Sequence, residues 1–391
     1  VCRPARLDIL GNGAVPVKMV LKRCQSFVKG EVVLCVSLVL AVLTAFAVPP
    51  AWAYLSYPDY RPLALLFCLM LLVAGFRSLG VFQRLGGWLL RRAGGFRGLS
   101  FALTLLCFFS SMVITNDVTL ITFVPFTLLV TRGVSRKGSV LSLVVFETIA
   151  ANLGSMATPI GNPQNLYLYA HYKFSASVFI QTMLPYTIVS LACMLLFLSF
   201  QKRTTLSIQI QSKDICAGGR WHAVLYSSLF VLCIGAVVRI VPIPIMVCIV
   251  AAACFAADRG IFKQVDYSLL LTFAGFFILI GNLGRIQPFI AFFQAAVNGH
   301  EIICAILASQ IISNVPAALL LSGFTEQGSR LLIGVNLGGL GTLIASMASL
   351  ISYKYVSLAV PKKRGVYLRV FTIFNVLFLL PLLALALWGR F

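Results

Sequence analysis

The feature that most limits how this chain can fold is a duplication of polar sites inside apolar stretches. Ser111-Met-Val-Ile-Thr115-Asn116 returns as Ser309-Gln-Ile-Ile-Ser313-Asn314. Phe126-Thr127 and Phe324-Thr325 follow the two asparagines at the same distance. Asn152-Leu-Gly154-Ser155-Met-Ala-Thr158-Pro-Ile160 returns as Asn336-Leu-Gly338-Gly339-Leu-Gly-Thr342-Leu-Ile344, and Ala74-Gly75-Phe76 is echoed by Ala274-Gly275-Phe276. The offsets are 198, 184 and 200 residues, so the order is kept while the connections differ. Gly, Asn, Ser and Thr interruptions at matching places in two apolar halves mark a site built where membrane repeats meet.

Only 10% of the residues are charged and 60% are hydrophobic, against about 25% charged in soluble proteins. Runs such as Leu63–Phe82, Val178–Phe200 and Val370–Trp388 approach the roughly 20 apolar residues that cross a bilayer. They are continuous rather than alternating, which argues against a barrel. The sequence therefore predicts an all-α polytopic membrane protein whose immediate partner is the lipid bilayer. Nine crossings are expected at 32–48, 62–82, 140–170, 178–200, 221–238, 243–257, 267–283, 331–353 and 370–388. With the N-terminus in the cytoplasm, 24 of the 31 Lys and Arg residues fall on the cytoplasmic side, six on the other, and Arg77 within a span. That asymmetry satisfies the positive-inside rule and predicts a cell-membrane protein with an external C-terminus. The net charge of +21 is dispersed over short loops, which argues against nucleic-acid binding.

The eleven cysteines lie mostly in apolar runs without CxxC or Cys/His spacing, and read as small buried hydrophobes. No cofactor is expected. Residues 1–31 read as a cytoplasmic tail. Lys22, Arg23 and Lys29 before Val32–Val48, followed by Ala51-Trp-Ala53, also resemble a signal peptide. The 17-residue run is long for one, and an uncleaved first helix is the favoured reading.

Repeat 1 covers 32–200, 221–238 is a linking helix, and repeat 2 covers 243–391. Each repeat is expected to contain a re-entrant hairpin, at 99–131 and 302–323. Arms 99–114 and 118–131 flank Thr115-Asn116-Asp117, and the second hairpin has arms 302–312 and 317–323. An arm of eleven residues reaches about 16 Å, far short of a hydrocarbon core of about 30 Å. Each repeat also carries a broken transmembrane helix. Gly154, Pro159, Gly161 and Pro163 interrupt 140–170, and Gly338, Gly339 and Gly341 interrupt 331–353. The single linking helix inverts the second repeat relative to the first, and irregular backbone at this depth must be buried in protein or line a cavity.

The candidate ion or substrate ligands follow from this layout. Ser111 and Thr115, one helical turn apart, join Asn116 and the Gly154–Ser155 carbonyls. Ser309, Ser313 and Asn314 join the Gly338–Gly339 carbonyls. Asn152, Thr158, Asn162, Asn336 and Thr342 complete the set. A single such cluster would read as close helix packing; its recurrence in register favours binding. Asp117, Glu147 and Arg77 are ionisable residues inside predicted spans. Asp117 reads as a cation or proton site, with helix capping as the alternative. Glu147 is read either as a gating or proton-transfer group or as the partner of a nearby Arg, and Arg77 as a snorkelling side chain. Tyr54, Tyr57, Tyr60, Tyr167, Tyr169 and Tyr172 suggest an interfacial belt.

These motifs resemble the ion transporter superfamily, which includes divalent anion/sodium symporters, citrate permeases, arsenical permeases and certain sodium/proton antiporters. The resemblance covers nearly the whole chain. It implies that Ser111, Thr115, Asn116, Ser309, Ser313 and Asn314 are Na⁺ ligands. In the dicarboxylate branch a Thr follows each tip Asn and touches substrate; here Asp117 and Val315 stand there. Asp after Asn is similar to the arsenical-permease and antiporter branches. The Pro159-Ile-Gly161-Asn162-Pro163-Gln164-Asn165 run is similar to bacterial citrate-transporter-like permeases. The expectation is a secondary active transporter of a small anion, an organic carboxylate or inorganic oxyanion, coupled to Na⁺ or H⁺. A Na⁺/H⁺ antiporter or an arsenite/antimonite efflux permease is the alternative, and a homodimer is left open. An enzyme is not expected: no Ser/His or Asp/Asp pair has catalytic spacing within a span, and no nucleotide-binding loop is present.

Overall fold

The computed structural model describes residues 31–81, 84, 95–131, 137–201 and 219–388. The expected tail at 1–31, all but its last residue, and most of the 132–137 and 202–220 loops lie outside them. Among the described residues there are sixteen α-helices and no strand. They are α1 (Val32–Ala47), α2 (Tyr60–Ser78), α3 (Phe96–Ile114), α4 (Asn116–Val130), α5 (Lys137–Ser155), α6 (Pro163–His171), α7 (Ala176–Ser199) and α8 (Arg220–Val237). The remainder are α9 (Ile243–Ala257), α10 (Tyr267–Leu283), α11 (Gln287–Val297), α12 (Glu301–Ile312), α13 (Asn314–Ser322), α14 (Gly328–Leu337), α15 (Met347–Ala359) and α16 (Arg364–Trp388).

Local chemistry starts several of these helices. The side chains of Asp59, Ser175 and Asp266 accept hydrogen bonds from backbone N–H groups in the first turns of α2, α7 and α10. Asn162 caps α6, with Pro163 at the first helical position. Six described helices are long and apolar enough to cross a bilayer. The crossings expected at 32–48, 243–257 and 267–283 are helices of 16, 15 and 17 residues, shorter than a full span. Large apolar side chains such as Val39, Phe46, Ile188, Leu196 and Leu380 are exposed, as lipid-facing surfaces require.

The hairpins are α3–α4 and α12–α13, and the broken helices are α5–α6 and α14–α15. In each half the first hairpin arm packs on the first piece of the broken helix: α3 on α5, and α12 on α14. The second arm crosses over to the other half. Helix α4 packs on α15, and α13 on α6. The inverted repeats are thus interlocked. Around them, α1 packs on α10 and α2 packs on α8 and α9. The Ala-Gly-Phe echo belongs to that frame. A Cβ on Gly75 would come within 2.8 Å of the Tyr226 ring, and one on Gly275 within 2.8 Å of Ser37 Oγ. Those glycines permit close helix contact.

Four expectations need correction. Each hairpin turns through one residue, Thr115 or Ser313, not through 115–117 or 313–316; Asn116 and Asn314 already begin the second arms. Helix α3 has 19 residues and by length alone could cross. Its extra length over α12 packs as a small separate cluster of Phe96, Leu99 and Leu103 with Val140 and Leu143. Helix α11 was not expected and follows α10 at a bend of 106°. It escaped notice because its eleven residues are too few for a span. Tyr167 and Tyr169 are buried, not interfacial. Tyr167 Oη lies 2.7 Å from Ser322 Oγ, so burial there is compensated by a hydrogen bond between the two halves.

Candidate functional site at the interlocked hairpin tips

The two tips share one backbone solution. Thr115 has φ 70° and ψ 151°, and Ser313 has φ 75° and ψ 155°. A positive φ is uncommon for residues other than glycine and marks a position held by its surroundings. What holds it is the adjacent break. The backbone N–H of Asn116 donates to the Gly161 carbonyl at 3.1 Å, and that of Asn314 to the Ala345 carbonyl at 3.0 Å. Gly161 and Ala345 are themselves 184 residues apart, the offset of the broken helices. Each tip is therefore docked on the break of its own half, which makes the hairpins re-entrant.

Glycine allows this docking. A Cβ on Gly154 would lie 2.0 Å from the Phe108 carbonyl oxygen and 2.7 Å from Ser111 Oγ. One on Gly338 would lie 2.5 Å from Ser309 Oγ. Further along, Thr158 Oγ1 donates to the Met112 carbonyl at 2.5 Å, and Thr342 Oγ1 to the Gln310 carbonyl at 3.2 Å.

The two halves are joined by a network of amides and hydroxyls. Asn152 Oδ1 accepts from Asn116 Nδ2 at 3.1 Å and from Ser346 Oγ at 3.0 Å. Asn152 Nδ2 donates to Ser349 Oγ and the Gly339 carbonyl, each at 3.4 Å. In the mirror arrangement, Asn336 Oδ1 accepts from Asn162 Nδ2 at 3.1 Å, and Asn336 Nδ2 donates to Asn165 Oδ1 at 2.7 Å. Each hub asparagine thus holds the second piece of the other broken helix. All seven of these side chains are buried. In an apolar interior such a network must be satisfied or it becomes a liability. Ser346 and Ser349 escaped the sequence reading because the duplication kept their chemistry rather than their identity, and Asn165 entered it only within the 159–165 run. The offset of 184 from Asn162 and Asn165 would have pointed to both serines.

The expected ligand sets are brought together, but unequally. Ser111 and Ser309 are buried against the glycines, each donating back to a carbonyl of its own helix. Their lone pairs remain available. Thr115 has left the helix, so the one-turn alignment with Ser111 is lost. At the second break, Gln310 Nε2 donates to the Gly338 and Leu340 carbonyls at 3.0 and 2.9 Å, and its Oε1 accepts from the Thr342 N–H at 2.8 Å. Met112 stands at the matching position of the first half. Ser155 Oγ accepts from Asn162 Nδ2 at 3.2 Å.

A crevice reaches the first tip. Thr115, Asp117, Ile160 and Asn162 lie in it, with Leu66, Leu69, Met70 and Val73 of α2 along one wall, and Arg77, Gln264 and Asp266 also on its lining. Asp117 is half-buried, while Arg77 and Asp266 are exposed. Glu147 is fully buried. It has no arginine partner among the described residues; Thr127 Oγ1 donates to its Oε1. Glu301, which the sequence reading passed over, accepts from Thr325 Oγ1 at 3.3 Å and lies 3.5 Å from Arg330 Nη1.

An all-helical, multi-pass chain with two re-entrant tips docked on two interlocked broken helices has the architecture of a membrane transporter. The family comparison agrees: the citrate transporter family matches residues 26–326, and the chain belongs to that family. It is 35% identical over 302 residues to an uncharacterized transporter of Methanocaldococcus jannaschii, covering 76% of this chain and 81% of the relative. It is 30% identical over 330 residues to an inner membrane protein of Escherichia coli, covering 83% and 86%. A solved transporter of Alcanivorax borkumensis, described as having an unusual topology, shares 14% identity with a TM-score of 0.55 over 86% of this chain and 87% of that one. That likeness concerns the fold alone.

Proposed function

We propose that this transporter works by secondary active transport, moving a small oxygen-rich anion, an organic carboxylate or inorganic oxyanion, coupled to Na⁺ or H⁺. The observation that carries the reading is the docking of both tips on the breaks, which gathers Ser111, Asn116, Ser155, Ser309 and Asn314 among buried apolar helices. Helix ends and unwound backbone at such a place present carbonyls to cations and N–H groups to anions. By the positive-inside rule, Arg77 and the turn at 259–264 face the cytoplasm, so the crevice opens inward. Asp117 would take the coupling cation or proton. The hairpins and broken helices, which exchange partners between halves, would move as one unit against the frame of α1, α2, α8, α9 and α10.

One observation favours the alternative cargo. The crevice carries two carboxylates, Asp117 and Asp266, against one guanidinium, Arg77. That balance repels multiply charged anions and suits an uncharged hydroxylated solute, such as arsenite or antimonite, leaving in exchange for a cation. A Na⁺/H⁺ antiporter fits it as well. The test is flux into proteoliposomes of citrate, succinate, sulfate and arsenite, and Na⁺/H⁺ exchange, under imposed Na⁺ or pH gradients. Saturable, gradient-driven flux of one of these with counter-flow is expected. Flux that neither saturates nor shows counter-flow would mean a channel and overturn the reading.

A further inference from the structure

The repeated Phe-Thr at the foot of each hairpin takes no part in the tip site, yet both threonines meet a buried glutamate. Thr325 Oγ1 donates to Glu301, and Thr127 Oγ1 to Glu147. The glutamates are not duplicates: Glu301 begins α12, a hairpin arm, whereas Glu147 lies on α5, a broken helix. Their surroundings differ too. Glu301 also accepts from the Gly299 N–H at 3.0 Å and is paired with the half-exposed Arg330. Glu147 has only Thr127, and its Oε2 is buried with no hydrogen-bond partner.

We infer that Glu147 is a proton-binding site of the transport cycle, separate from the tip; this rests on the transporter reading. A carboxylate sealed without a cation is costly, whereas the acid form is tolerated. The groups that reach Glu147 are not cations. Thr127 on α4 is hydrogen-bonded to it, and Cys107 on α3 and Tyr367 on α16 are near enough to interact with it electrostatically. The charges on the helices packed around α5 lie elsewhere. Arg97 sits over the Phe101 ring, Arg330 is held by Glu301, and Lys354, Arg364 and Arg369 are exposed. Asp117 is at the tip end of α4, ten residues before Thr127. The buried Thr131 hydroxyl, one turn beyond Thr127, donates to the Thr127 carbonyl at 2.6 Å and continues the polar line toward the foot of the hairpin. Glu147 faces α4 through Thr127, so a shift of α4 against α5 would open the acid to that line. The proton on Oε2 then leaves to water and the carboxylate remains; closure takes a proton back.

The experiment is infrared difference spectroscopy of purified protein in lipid vesicles, which needs no substrate. It is done in the Asp117→Asn background so that the tip acid does not contribute. A protonated-carboxyl band is expected at neutral pH. It should weaken as the pH is raised, vanish in Glu147→Gln, and shift in Thr127→Val, which keeps the acid but removes its hydrogen bond. No band lost on Glu147→Gln, or a band indifferent to pH, would overturn the proposal. With Asp117 restored, Glu147→Gln should change the pH profile of flux, and an unchanged pH profile would also overturn it. Absence of coupled flux in wild type, with the band present, would instead sink the transporter reading alone.

Discussion

The two hairpin tips start from the same backbone and end in different chemistry. Both turn through a residue of positive φ, and both dock an asparagine N–H on a carbonyl within a break. At the first tip the next residue is Asp117, beside a crevice, and Asn116 reaches the hub Asn152. At the second tip the next residue is the buried Val315, and Gln310 ties up the break from within. The duplication thus supplies a scaffold twice, and the first copy has kept the ionisable group and the access. One tip places an ionisable side chain beside a crevice, and the other places a buried apolar one at the same position.

The hardest test of that comparison is at the docking glycines. At Gly154 an added Cβ meets backbone, the Phe108 carbonyl at 2.0 Å. At Gly338 it first meets a side-chain hydroxyl, Ser309 Oγ at 2.5 Å. The Phe108 backbone cannot yield by roughly 1 Å or more, whereas the Ser309 hydroxyl can change rotamer, leaving only the milder approaches to Ser309 Cβ at 2.8 Å and the Gly334 carbonyl at 2.9 Å. Gly154→Ala should therefore cost about 3 kcal/mol or more, at the upper end for overpacking, and Gly338→Ala about 1–2 kcal/mol. Thermal unfolding in detergent measures both. Equal losses would mean that the two dockings are mechanically alike.

Next in size is the functional contrast. Asp117→Asn keeps shape and hydrogen bonding but removes the charge, and should reduce coupled flux to the level of protein-free vesicles without lowering thermal stability. Val315→Asp places an acid at the second tip, where Val315 is buried. It should destabilise the protein rather than create a second ion site, because the new carboxyl is buried and unpaired. Wild-type rate and ion dependence in Asp117→Asn would reduce Asp117 to a helix-end residue.

Much of this was legible because duplication and apolar length are sequence properties. Ser111, Asn116, Gly154, Asn152 and their partners were found by identity at a fixed offset, and the structure places them in contact. Three kinds of feature were not legible. Ser346 and Ser349 stand where Asn162 and Asn165 stand, so only their hydrogen-bonding capacity repeats. Thr127 and Thr325 repeat, but their glutamates come from different helices, which a linear offset does not relate. The single-residue turns at Thr115 and Ser313 arise from docking across the half, a tertiary constraint that overrides the expectation of a longer loop. At the second break the expected crossing, 331–353, was short at both ends, because the two pieces run over Gly328–Leu337 and Met347–Ala359 around the interruption the glycines announce.

A milder pair of substitutions sharpens the comparison. Asn116→Ala removes the bond to Asn152, whereas Asn314 Nδ2 sits over Gly339 with no hydrogen bond to the hub Asn336 among those described. Asn116→Ala should weaken coupling-ion affinity more than Asn314→Ala, read as the ion concentration for half-maximal flux, with both proteins inserting normally. Equal shifts, or none, would count against an unequal pair of ion sites.

The smallest expected effect tests what closes the second break. Gln310 satisfies the Gly338 and Leu340 carbonyls and the Thr342 N–H; Met112, its counterpart, makes no such side-chain bonds and leaves the first break to its own backbone and to Asn165. Gln310→Met makes the second break resemble the first. Three part-buried hydrogen bonds, one of them to the Ile306 carbonyl, and one exposed one are lost, but the groups left at the break sit beside the half-exposed Gly341 and exposed Thr342, where water can replace the glutamine. The stability loss should be modest, about 1–2 kcal/mol. The freed carbonyls then face Ser309 and Asn314 as the first break faces Ser111 and Asn116. If Gln310 is what separates an ion-binding tip from a structural one, the variant should bind an additional coupling cation, seen as a steeper dependence of flux on ion concentration. An unchanged steepness with the expected loss of stability would show that the difference lies at Asp117 and its crevice, and that the second break is closed by its backbone rather than by the glutamine within it.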